Sequence, residues 1–146
     1  MKIQKMDLFH GAALTQIVEH PSFKALNKAD AKYGHYQINH DRRILIKYRD
    51  TSRSPWTFTV NFDEITMLND DLRRKDGRTF LCLVCGKTTV CPLHEGDIDD
   101  LIDLHGLSAQ WIRVEIPSGG SMHLKGSKGG LKRAIPHKDF PVVLFK

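Results

Sequence analysis

An α+β fold with a mainly antiparallel sheet follows from three observations on this chain. Short alternating apolar segments recur between turn residues, helical stripes interrupt them, and one unbroken apolar stretch, Thr79 to Cys85, has the character of a central strand covered on both faces. The expected order is α-βββ-α-ββ-α-ββ, with three helices in a single domain over residues 1–146, a length that can bury one core without disulfides or an obligatory metal.

Asp7 is placed to cap a first helix that carries Leu14, Ile17 and Val18 on one face. Pro21 cannot continue that helix smoothly and suits the first turn of another helical segment, through Phe23 and Leu26 towards Ala31. His35 to His40 and Arg43 to Tyr48 then alternate as two strands joined by a tight turn at His40-Asp41-Arg42. Beyond a polar loop from Arg49 to Pro55, Trp56, Phe58 and Val60 point inward and Thr57 and Thr59 outward, which completes a three-stranded meander.

Asp63 is the expected cap of the next helix, with Ile65, Leu68 and Leu72 as its buried stripe and Arg73, Arg74 and Lys75 at its negative end; Asp76-Gly77 ends it. Thr88 to Leu93 returns beside the central strand after a Gly86-Lys87 turn, and Pro92, which lacks a ladder donor, makes the return an edge. Asp97 caps a helix with Ile98, Leu101 and Ile102 that stops at Gly106. Trp111 to Ile116, Met122 to Lys125 and Val142 to Phe145 read as strands between glycine- and proline-rich loops.

The formal charge of +5 favours polyanionic partners, DNA or RNA. At 40% hydrophobic and 27% charged residues, the composition is that of a globular protein rather than a disordered one. No apolar run approaches the length of a membrane span and the opening residues lack a secretory h-region, so no membrane association is expected. Three closely spaced cysteines fit a reducing compartment, and the cytoplasm is the expected location.

Three constellations bear on chemistry. Cys82-x2-Cys85-x5-Cys91-x2-His94 supplies four ligand types that Zn²⁺ prefers, and Cys85-Gly86 looks like part of a zinc knuckle. The interleaved Phe80, Leu81, Leu83 and Val84 argue instead for extended backbone, in which residues three apart point to opposite faces and the thiols are small core residues. A redox role for Cys82 and Cys85 would want a helix to begin at the first thiol, and none does.

The second constellation is the basic glycine-rich stretch from Ser118 to Arg133. Its glycines allow close approach to phosphate, and Lys125, Lys128, Lys132 and Arg133 supply charge, joined by Arg42, Arg43, Lys47, Arg49 and Arg53 of the meander region. The alternative reading is a pair of hairpin turns with solvated lysines.

The third comes from element order. Helix, three-stranded meander, helix, strand over residues 8 to 85 resembles the core of the PD-(D/E)xK nucleases. That resemblance implies a Mg²⁺ site with Glu19, Asp41 and Lys47 as the residues carried over, although Leu45 stands two before Lys47 where the motif has an acid.

The leading expectation is a small, basic, non-enzymatic nucleic-acid-binding or nucleic-acid-associated protein with no cofactor. The enzymatic alternative is a divergent Mg²⁺-dependent nuclease. A third class is an adaptor holding structural zinc at Cys82, Cys85, Cys91 and His94, or meeting a protein partner through an exposed sheet edge such as Thr88 to Leu93 or Val142 to Phe145.

Overall fold

The computed structural model describes residues 1–146 as a mixed α+β fold with two sheets. The elements in chain order are α1 (Lys5–Val18), β1 (Leu26–Lys28), β2 (His35–Ile38), β3 (Arg42–Arg49), β4 (Trp56–Val60), α2 (Phe62–Leu72), β5 (Arg78–Cys85), β6 (Thr89–Leu93), α3 (Glu95–Leu101), β7 (Gln110–Glu115), β8 (His123–Gly126) and α4 (Asp139–Val142), followed by a 3₁₀ turn at Val143–Phe145. No helix is long and apolar enough to cross a membrane.

The first sheet has the order β1-β2-β3-β5-β6 and is antiparallel except where β3 and β5 run parallel. Every residue of β5 after Arg78 is buried, as its unbroken apolar sequence requires. Its even-numbered side chains Phe80, Cys82 and Val84 face α1 and the C-terminal turn, while Leu81, Leu83 and Cys85 face the opposite core. Two apolar clusters therefore flank this sheet. One gathers Phe9, Ala13 and Ile17 of α1 with Ile44 and Ile46 of β3 and with Phe140 and Leu144. The other gathers α2, α3 and the inner face of the second sheet.

The second sheet, β4-β7-β8, is where the meander expectation fails. Trp56 to Val60 alternates as read, with Trp56, Phe58 and Val60 buried, but β4 pairs with β7 and does not join β2 and β3. The edge of β3 that a third meander strand would use is already taken by β5 over eight residues. β4 instead lays its apolar face over the first sheet, and its Trp56 Nε1 donates to the Thr51 carbonyl at 2.8 Å. Gly86 forms the β5–β6 turn at φ +55°, where a side chain would also clash with the Thr51 carbonyl.

Two further expectations are corrected. Pro21 to Ala31 holds a turn and the short strand β1, with no helix. The Asn39 side-chain oxygen accepts from the Lys24 and Ala25 amides at 2.7 and 3.1 Å, and its amide donates to the Ser22 carbonyl, so a residue fourteen positions away satisfies the backbone a helix would have used. Val142 to Phe145 ends α4 and forms the 3₁₀ turn, so it offers no sheet edge, and Phe140 and Leu144 on either side of Val142 bury in the core beneath α1. The Thr88 to Leu93 expectation holds for β6 as an edge strand, but Val90 to Leu93 are all buried and α4 packs against it.

The helix starts also shift. The caps are Gln4, Asn61 and His94, and the aspartates expected there lie two or three residues inside. Asp7 accepts from the Gln4 amide at 2.8 Å, and Asn61 and Glu64 exchange bonds at 2.9 and 3.0 Å, so acids in the first turn bond back to the cap residue. Ile65 and Leu68 of α2 are essentially fully buried, each contributing about 1.5–3 kcal/mol.

Candidate nucleic-acid interface

The outer face of the second sheet is a grid set by strand register. Thr59 of β4 lies opposite Trp111 of β7, and Ser127 follows on the far side of Trp111, with the Ser127 amide donating to the Trp111 carbonyl at 3.0 Å. In the next row Thr57, Arg113 and Lys125 stand side by side, and in the third Glu115 faces His123. Alternation explains the surface, since the intervening Phe58, Ile112, Val114 and Leu124 all point into the core.

Arg113 and Lys125 are exposed and directly opposed, and neither has a carboxylate within ion-pair distance. The Arg113 guanidinium lies over the half-buried Trp111 ring, 5.6 Å from its centroid. The glycine next to Lys125 is there for packing. Gly126 is buried, and a Cβ on it would clash with the Leu101 carbonyl of α3, so this residue lets β8 press against the helix.

Most of the other expected nucleic-acid contacts are already neutralised. Arg42 pairs with Asp41, and its guanidinium sits 5.9 Å from the Phe145 ring centroid. Arg43 donates to Gln37 at 2.9 Å and to Asp71 at 3.2 Å, and Lys47 meets Glu64 at 2.6 Å with both side chains largely buried under α2. Lys128 donates to the Asp99 carbonyl at 2.8 Å, and Arg133 lies 3.7 Å from Asp97. Of the predicted set Lys125, Lys132, Arg49 and Arg53 have no acidic partner, and Arg113, outside that set, has none either.

Beneath the Arg43 ion pair lies a second polar site, a cleft of about 230 Å³ between α2, β3 and the loop before β2. His35, almost wholly buried, is bonded on both ring nitrogens: Nδ1 is 3.0 Å from Asp30 Oδ2 and Nε2 is 2.6 Å from Asp71 Oδ2. An ionised carboxylate only accepts, so two such partners favour the imidazolium form, in which both ring nitrogens donate. Burial pulls the His35 pKa down, but the bonds and charges of Asp71 and Asp30 outweigh it, and the net direction is up. Burial pushes the Asp30 carboxyl upward, and its bonds to His35 and the Lys32 amide reverse this to a net lowering. With every ring position of His35 engaged and Asp71 shared with Arg43, this network ties α2 to β2 and β3 and leaves no free base.

The four residues of the expected zinc site do not converge. Cys82 lies in the core beneath α1, whereas Cys85 and Cys91 lie in the opposite core, as strand alternation dictates for residues three apart. All three are fully buried free thiols; burial pushes Cys85 up to about 12 and raises Cys82 and Cys91 as well, which opposes the thiolate that zinc requires. His94 caps α3, its Nδ1 accepting from the Gly96 and Asp97 amides at 3.1 and 3.4 Å. These donors do not fit one tetrahedral ion.

The nuclease triad is likewise dispersed. Glu19 is the exposed cap at the end of α1, Asp41 lies in the β2–β3 turn bound to Arg42, and Lys47 is six residues along β3, about 20 Å away in an extended strand. A metal held at Asp41 would leave Lys47 too far away to serve the attacked phosphate. The chain matches no protein-family model, no curated protein and no solved structure.

Proposed function

We propose that this protein is a non-enzymatic nucleic-acid-binding protein whose contact surface is the outer face of β4-β7-β8. The observation that carries the reading is the Arg113–Lys125 pair, two cations directly opposed across a strand pair with no counter-charge. Like charges in that position destabilise a sheet, by a few tenths to about 1 kcal/mol, and a phosphate laid between them reverses the sign of the interaction. Lys132, exposed and unpaired in the following segment, adds a further cation. A cytoplasmic location belongs to the same reading, since three unpaired buried cysteines persist where thiols stay reduced.

A mobility-shift titration of DNA and RNA across salt tests it. The expected result is micromolar binding that weakens with salt, with a log–log slope of about −1 to −2 for so few phosphate contacts. The double variant Arg113→Gln/Lys125→Gln should lose roughly tenfold in affinity and flatten that slope, while Lys47→Gln, whose partner is Glu64, should change neither. No binding at low salt would end the reading. With Mg²⁺ added the nucleic acid should stay intact, and cleavage abolished by Lys47→Ala would restore the nuclease alternative.

A further inference from the structure

We infer that the ligand of this face is a single strand rather than a duplex, with a base stacked at Trp111; the inference rests on the proposed nucleic-acid reading. Trp111 and Arg113 are neighbours on one side of β7, with the guanidinium carbon 5.6 Å from the indole centroid, so a base arriving here meets a ring and a cation together. Aromatic rings and guanidinium planes are the groups on which unstacked bases lie, and a base in a duplex is not free to reach them.

The charge distribution points the same way. A duplex is held by an array of phosphate contacts spread along its backbones. On the outer face of β4-β7-β8 that array is missing, because its other outward positions are Thr57, Thr59, Trp111, Glu115 and His123. The free cations on the face are only Arg113 and Lys125, adjacent to the ring and to one another.

Size and polarity agree. Three strands span about 10 Å and the five positions from Trp111 to Glu115 about 13 Å, room for roughly two nucleotides. The hydroxyls of Thr57 and Thr59 border one side of the Trp111–Arg113 surface and can bond sugar or phosphate oxygens. Glu115 stands two residues beyond Arg113 and repels phosphate, which directs the backbone across the Lys125 row rather than towards the Glu115 end.

Fluorescence separates the outcomes, because the other tryptophan, Trp56, is 2% exposed in the core and only Trp111 can meet a base. Titrating the full chain with oligo-dT or oligo-U of about 12 nucleotides, and with a duplex of the same length, should give quenching by the single strands and at least about tenfold tighter binding than the duplex. Trp111→Ala should lower single-strand affinity by roughly tenfold and leave duplex affinity unchanged, while Trp111→Phe keeps most of it. Should Trp111→Ala fail to fold, Trp111→Phe and Arg113→Gln carry the comparison. Equal or tighter duplex binding without quenching overturns the strand preference and leaves the nucleic-acid reading standing; no binding to any of these at about 50 mM salt overturns both.

Discussion

Two cations under α2 in the first sheet and two on the open face of the second are arranged in opposite ways. Arg43 and Lys47, on the β3 face under α2, are each held by a carboxylate of that helix, Asp71 and Glu64, and His35 beside them is held by two. Arg113 and Lys125, on the open face of β4-β7-β8, hold each other's company with no acid in range. Buried charge must be paired to be tolerated, whereas an exposed cation stays hydrated and can remain available to a ligand. A basic residue therefore says little about binding until its neighbours are known, and here the free pair is the informative one.

Three measurements sharpen or break that contrast. The largest effect is expected at Asp71, which is buried and serves both His35 and Arg43. Asp71→Ala leaves Arg43 without its carboxylate and His35 with one of its two, and should cost about 3 kcal/mol in urea unfolding; a loss below roughly 1 kcal/mol would mean that the network is loosely held and the contrast is overstated.

The next concerns pH. The folded pKa of His35 lies above its ordinary 6.5, so the stability it contributes is fully present below that pH and is lost as pH rises through the raised folded value. The groups facing it are Asp71 of α2, Asp30 of the preceding loop, and Arg43 and Lys32 nearby. Stability should thus fall as pH rises above 6.5, and His35→Gln should remove that fall at a cost of roughly 1–2 kcal/mol at pH 6. An unchanged pH profile in the variant would assign the dependence to another group.

The smallest effect is expected from Arg113→Gln/Lys125→Gln. Both side chains are exposed, and removing a like-charged pair should leave stability within about 0.5 kcal/mol or raise it slightly. Loss of nucleic-acid affinity with unchanged stability is the signature of a surface kept for a ligand; substantial destabilisation would instead make the pair structural.

Much of the architecture was legible because it is written in local periodicity. Trp56-Thr-Phe-Thr-Val declares which side chains turn inward wherever the strand is placed, and the apolar run from Thr79 to Cys85 declares a strand covered twice. The same alternation placed Cys82 and Cys85 on opposite faces and so argued against their sharing an ion. Arg113 shares the face of Trp111 by the same alternation, two residues along one strand, but nothing local to the sequence shows that it lacks a carboxylate partner.

The sequence by itself determined the α+β class, the order of its principal elements, the central strand and the polarity of each strand's two faces, since backbone geometry ties these to residue spacing over a few positions. Only the tertiary structure decided that β4 leaves the first sheet for β7, that Asn39 holds Lys24 and Ala25 out of a helix, and which cations are free. Each of these depends on a partner distant in the chain: His35 and Asp71 are 36 residues apart, and Lys125 meets Arg113 only through the register of β7 with β8. Periodicity fixes the direction a side chain takes from its own backbone, and it carries no information about which group waits there.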